Sequence, residues 1–183
     1  MFKLLLFVLF SSIYCNGVYF KIKKAECNAN KKYFANISCV LKPINWTRSI
    51  LNIDGDIIGE ITNAHLLAEI FYRDSSNLYK PLITQLQYNI CDLLRKSNAR
   101  NFLEKYAMEH FRIYTNLNHT CPFSGHLYAR NFTLDEVSIP PLPLQEYKLS
   151  IKFNQINPSA FLGSVLLYFD VTEVYHKKRP HRN

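Results

Sequence analysis

Beyond residue 18, apolar and polar positions alternate along most of the chain. Ala35, Ile37, Cys39 and Leu41 alternate with Asn36, Ser38 and Lys42, the period of a strand with one buried face. Leu66, Ala68, Ile70 and Tyr72 share a second such face, with Glu69 and Arg73 opposite. After the turn cluster Asp74-Ser75-Ser76-Asn77, Leu82, Thr84, Leu86, Tyr88 and Ile90 alternate with Gln85, Gln87 and Asn89, which predicts a hairpin. Tyr147, Leu149, Ile151 and Phe153 against Lys148, Ser150 and Lys152 form the cleanest alternation. Beyond a turn over 154–159, the segment Phe161 to Val171 is apolar on both faces, as a central strand is. Short strands at this spacing predict an all-β sandwich.

Between Asp92 and Tyr114 the period changes. Leu93, Leu94, Phe102, Leu103, Tyr106, Ala107, His110 and Phe111 recur at steps of three and four, with charged residues between them. This predicts an amphipathic helical insertion around 92–114, broken near Ser97-Asn98. Pro140-Pro141-Leu142-Pro143 then reads as a stiff linker into the last hairpin. One parity conflict stands out: if His126, Tyr128 and Phe132 face inward, Arg130 does so too, unless the strand bulges.

The first seventeen residues read differently. Lys3 precedes an apolar run from Leu4 to Phe10 that gives way to Ser11, Ser12 and Cys15, the pattern of a secretory signal peptide. The run is shorter than the roughly 20 residues a membrane-spanning helix needs. Three segments are therefore expected: a removed leader over 1–17, one domain over 18–175 and a basic tail over 176–183. No transmembrane anchor is expected. A hydrophobic content of 48%, with 14% aromatics, excludes disorder. The net charge of +8 is concentrated in Lys21, Lys23 and Lys24 and in Lys177, Lys178 and Arg179. Export argues against a nucleic-acid partner, so these residues are expected to be solvated ends of the domain.

Export also gives the cysteines meaning. Once Cys15 leaves with the leader, Cys27, Cys39, Cys91 and Cys121 remain, an even number that reads as two disulfides in an oxidising compartment. Three pairings are possible; Cys27 with Cys39 and Cys91 with Cys121 is preferred, because each pair brackets one local unit. Closing such loops stabilises by about 3 kcal/mol each in the chain-entropy picture. Asn36, Asn45, Asn118 and Asn131 each open an N-x-[ST] glycosylation sequon.

Catalytic chemistry finds little support. The histidines form no zinc or hydrolase motif, and no glycine-rich phosphate loop occurs. Asp54-Gly55-Asp56 is too short for a calcium loop and reads as a tight turn. Ser124 and His126 share a strand face without an acid to orient the histidine. No enzyme activity, metal or cofactor is expected. The aromatics are the better lead: on the parities above, Tyr72, Tyr88, Tyr128, Phe132, Tyr147, Phe153, Phe161 and Phe169, with Phe34, point between the sheets. As a set they suit an apolar ligand cavity.

The segments Tyr88-Asn89-Ile90-Cys91-Asp92-Leu93-Leu94 and Tyr114-Thr115-Asn116-Leu117-Asn118-His119-Thr120-Cys121-Pro122-Phe123-Ser124-Gly125 form a recognisable signature. With Leu142-Pro143 and Glu146-Tyr147-Lys148-Leu149, it resembles an insect family of small secreted proteins that includes the CheB-type chemosensory proteins. More distantly, Cys121-Pro122 is similar to a Cys-Pro pair of ML-type lipid-recognition domains. That resemblance implies an immunoglobulin-like two-sheet sandwich, ML-like, whose sheets splay to admit a lipid or other apolar molecule. The expected function is binding of a small hydrophobic ligand, a lipid or semiochemical, by a secreted protein. The alternative is a ligand-free glycoprotein that engages a receptor or secreted partner through its surface, including Phe102, Tyr106 and Phe111.

Overall fold

A computed structural model describes residues 18–95, 112–134 and 142–173. Within them the chain forms an all-β sandwich of two antiparallel sheets. The strands are β1 (Val18–Ala29), β2 (Phe34–Pro43), β3 (Ser49–Ile61), β4 (Ala64–Arg73), β5 (Tyr79–Asn89), β6 (Phe123–Phe132), β7 (Glu146–Gln155) and β8 (Ala160–Glu173). One sheet has the order β1-β8-β7-β4-β5 and the other β2-β3-β6. Strand β8 is central, as its two apolar faces require. The β4–β5 hairpin turns where expected, with Asp74 Oδ1 accepting from Ser76 N and Leu78 N at 2.9 and 3.0 Å.

Two strands lie where none is expected from sequence. β1 covers the basic stretch: Phe20 and Ile22 are buried while Lys21 and Lys23 point out. β3 runs straight through Asp54-Gly55-Asp56, so the tight turn expected there is corrected to mid-strand. Its inward set is Leu51, Ile53, Gly55, Ile57 and Ile61, and the two aspartates face outward.

Bulges explain the parity failures. Asn36, Gln85 and Asn131 have φ of 53°, 62° and 57°, each beside a register shift that swaps the faces of its strand. The shift at Asn131 settles the conflict in β6: Arg130 stays outside with Tyr128, and Phe132 turns inside. The shift at Gln85 turns Leu82 outward, leaving it 44% exposed on an edge strand.

The helical insertion begins as α1 (Ile90–Arg95), capped by Asn89 Oδ1 accepting from Asp92 N at 3.1 Å. Residues 112–114 are helical as well. The remainder of the insertion, with Phe102, Tyr106 and Phe111, lies outside the described residues, as do the leader, the tail and Pro140-Pro141. Among the described residues, no helix is long and apolar enough to cross a membrane.

The core divides into two ends. One end is a closed cluster around Phe20, Ile22, Leu51, Tyr147, Leu167, Phe169 and Val171. There Tyr147 is fully buried, stacks on Phe169 at 5.4 Å, donates to Pro143 O at 3.0 Å and accepts from Gln145 Nε2 at 2.9 Å. The other end gathers Ile57, Ile61, Ala64, Ile90, Leu94, Phe123 and Leu162 beside α1.

Candidate functional site

An apolar cavity of about 180 Å³ lies between the sheets at the α1 end. Its floor on the three-stranded sheet is Ile53, Gly55, Ile57 and Leu127; Phe153, Leu162 and Val165 face them from the five-stranded sheet. Ile90 of α1 and Leu117 border it at the end of the sandwich. Gly55 carries no side chain at this inward position in mid-sheet, and the Ile37 side chain rests in the space so left. The Cys91–Cys121 disulfide, Cα–Cα 5.2 Å, ties α1 to the segment entering β6 and so fixes this end. The Cys27–Cys39 disulfide joins β1 to β2 across the two sheets, Cα–Cα 6.1 Å. Both pairs are those that bracket a local unit.

Of the nine aromatic residues expected to point between the sheets, Phe34 and Phe153 reach the wall. Tyr147, Phe169, Phe132 and Tyr72 belong to the closed cluster at the opposite end. Tyr88 is half-buried opposite Leu66 on β5, outside the wall. Tyr128 borders the cavity through its strand, but its ring is on the outer face beneath Arg130, whose Cζ stands 4.3 Å from the ring centroid. Phe161 is 41% exposed, because the register shift beside Phe153 and Asn154 turns Leu162 inward in its place. The aliphatic lining on β3 was missed with β3 itself. Its signal is present in the sequence: Leu51, Ile53 and Ile57 keep strict alternation across the Asp-Gly-Asp.

The outer face behind the cavity carries a charged clamp. His126 Nε2 meets Asp54 Oδ1 at 2.8 Å, and its Nδ1 meets Asp56 Oδ1 at 2.9 Å. Both nitrogens can donate only in the imidazolium form, so the hydrogen bond to Asp56 and the two carboxylate charges hold the His126 pKa above its ordinary 6.5. Asp56 is held below its ordinary value, first by the Asn36 Nδ2 donor at 2.8 Å and then by His126. Arg130 Nε adds a contact to Asp54 at 3.3 Å. The carboxylates occupy opposite nitrogens of one ring, so no single ion could reach all three groups. Among the described residues no set of side chains is arranged to hold a metal. The expectation that no acid orients His126 is corrected by the Asp54 and Asp56 carboxylates; Ser124 is exposed and sits beside Gly125, whose φ is 75°.

The four sequon asparagines are all exposed. Asn36 and Asn131 sit at bulges on the outer face of the three-stranded sheet. Asn45 caps the β2–β3 turn, its Oδ1 accepting from Thr47 N at 2.9 Å and Arg48 N at 2.7 Å. Asn118 lies in the loop before Cys121.

No curated protein matches this chain. Across β4, β5, α1, β6 and the first half of β7, which include one side of the cavity and both cysteines of the second disulfide, residues 66–149 match the family described as protein of unknown function (DUF1091).

Proposed function

We propose that this protein is secreted and binds one small, uncharged hydrophobic ligand in the cavity between its sheets. The observation that carries the reading is the cavity itself. At roughly 24 cal/mol per Å³, a fully enclosed space of about 180 Å³ would forgo about 4 kcal/mol of packing, an upper bound for this partly open one. An empty apolar space of that cost is accounted for if a ligand fills it. Apolar cavities near roughly 150 Å³ stay dry and accept molecules the size of benzene. The wall offers aliphatic and aromatic surface and no charged side chain to anchor an ionic head group. At about 0.8 kcal/mol per methylene, a short hydrocarbon gains enough from burial to bind, whereas a two-chain lipid exceeds the space. The signal-like leader, the two disulfides and the exposed sequons support an extracellular setting, and a carrier role fits the resemblance to secreted chemosensory and ML-type proteins.

Native mass spectrometry of the purified protein with a panel of hydrocarbons and fatty acids tests this. One-to-one adducts with short, uncharged members, matched by a raised melting temperature, are expected. Absence of any adduct and of any thermal shift across the panel would overturn it. A second reading draws on the β2–β3 hairpin, which exposes Val40, Ile44 and Trp46 at 52%, 51% and 65%. A ligand-free module would use that surface for a protein partner, and an empty panel would favour it.

A further inference from the structure

The cavity lies beside the β1–β2 edge of the sandwich, one of two lateral edges that no backbone ladder seals. β1 and β2 belong to different sheets, so Cys27–Ala29 and the facing part of β2 are not hydrogen-bonded to one another. Two fixed points bound this gap. The Cys27–Cys39 disulfide closes one end. The turn at 30–33 closes the other, with Tyr33 N donating to Asn30 O at 2.9 Å and Asn30 N donating to Leu162 O at 2.8 Å. Between them stands Ile37.

Three independent observations single out this side chain. Ile37 borders the cavity and is nevertheless 39% exposed, so one flank is in water and the other in the apolar space. It is carried on the β2 bulge, where Asn36 and Ile37 together stand opposite Gly55, between the pairs Ala35–Asp56 and Ser38–Asp54. Bulges re-aim side chains, and this one directs an isoleucine across the inner face of β3. Finally, its Cδ1 lies 2.2 Å from where a Cβ on Gly55 would stand, so it rests in space that any other residue at 55 would claim.

Polar bonds hold the surroundings of Ile37, whose own side chain rests against Gly55. Asn36, its neighbour on the bulge, is tied to Asp56, which the His126 ring holds in turn. The disulfide two residues on stops the sheets from parting at this edge. What remains free to move is a half-exposed side chain, and such rotamers exchange rapidly. We infer that the gap between β1 and β2 is the entrance to the cavity and that Ile37 is its gate, admitting slender apolar molecules, unbranched chains or single unsubstituted rings. The inference rests on the ligand reading above. An aperture bounded by a disulfide and a hydrogen-bonded turn widens only as far as one side chain can swing, which excludes broad, fused-ring ligands.

The test uses fluorobenzene as probe with the secreted, disulfide-bonded protein, and reads exchange rates and affinity by fluorine NMR. Ile37→Ala should raise association and dissociation rates together by about tenfold, the factor that 1.4 kcal/mol of barrier gives, with Kd moved by less than about threefold. Ile37→Trp should slow both rates. Gly55→Ala, which displaces Ile37 without altering it, should speed exchange as Ile37→Ala does and serves as the second variant should Ile37→Trp fold poorly. Binding with exchange rates unchanged in these variants would overturn the gate and leave the cavity reading standing. No binding to the unaltered protein would overturn both.

Discussion

Leu127→Phe is the most direct probe of whether the α1 end of the sandwich is underfilled. Leu127 faces inward on β6, paired with Gly55, and borders the cavity. The substitution adds about three carbons, worth about 2 kcal/mol at roughly 0.8 kcal/mol per buried methylene if the ring enters empty space. Imperfect fit and lost rotamer freedom offset part of that. The expected net effect therefore runs from no change to a gain of about 1.5 kcal/mol. Leu167 is the control, because it is 1% exposed within the closed cluster. There the same change must displace packed neighbours and should cost about 1–3 kcal/mol. Urea unfolding resolves the two: with a slope near 1–3 kcal/mol per molar, the midpoints should separate by at least about 0.3 M. The filled variant should also lose the thermal shift given by any ligand of the native protein. If Leu127→Phe destabilises as much as Leu167→Phe, the space between the sheets is already occupied by protein and the reasoning fails.

Tyr147→Phe should cost about 0.5–1.5 kcal/mol in the same assay, because it removes the hydroxyl's bonds to the half-buried Gln145 and to the carbonyl of exposed Pro143 while leaving the ring stack on Phe169 intact. A loss under about 0.5 kcal/mol would mean that water replaces the hydroxyl. The His126 clamp sets a pH dependence. A pKa raised in the folded state contributes stability that is full below the unfolded value, near 6.5, and is lost as pH rises through the folded one. Asp56, lowered, contributes above its unfolded value near 3.8 and loses that contribution on acidification. Both contributions coexist between those two values. The unfolding midpoint of the native protein should fall on going from pH 6 to pH 8, and His126→Gln should remove that slope; an unchanged slope would discount the clamp.

The five-stranded sheet was largely legible in the sequence, because β4 and β7 keep an unbroken alternation between one turn and the next and β8 is apolar on both faces. The cysteines were legible for a related reason: each pair flanks a single hairpin or excursion. β1 was not, because Phe20 and Ile22 supply only two inward positions before a register shift, and the lysines between them look like a solvated end. β3 was hidden by chemistry, since Asp-Gly-Asp is turn-like in isolation and becomes strand once His126 and Arg130 on β6 balance the carboxylates. The residues that line the cavity were the least legible. Tyr72, Phe132, Tyr147 and Phe169 do face inward but at the closed end, because parity gives a face and not a position along the strand. Tyr128 and Phe161 fall outside, where a register shift intervenes. Local pattern gives the faces of a strand up to a bulge and loses them beyond it.

The split core has an evolutionary consequence. A clamp of tightly fitted side chains at one pole can hold the barrel of strands together while the opposite pole drifts. Residues around Leu162 are then free to be exchanged for larger or smaller neighbours, reshaping the space between the sheets without endangering the architecture around it. Diversity among relatives should accordingly gather at one pole and thin out at the other.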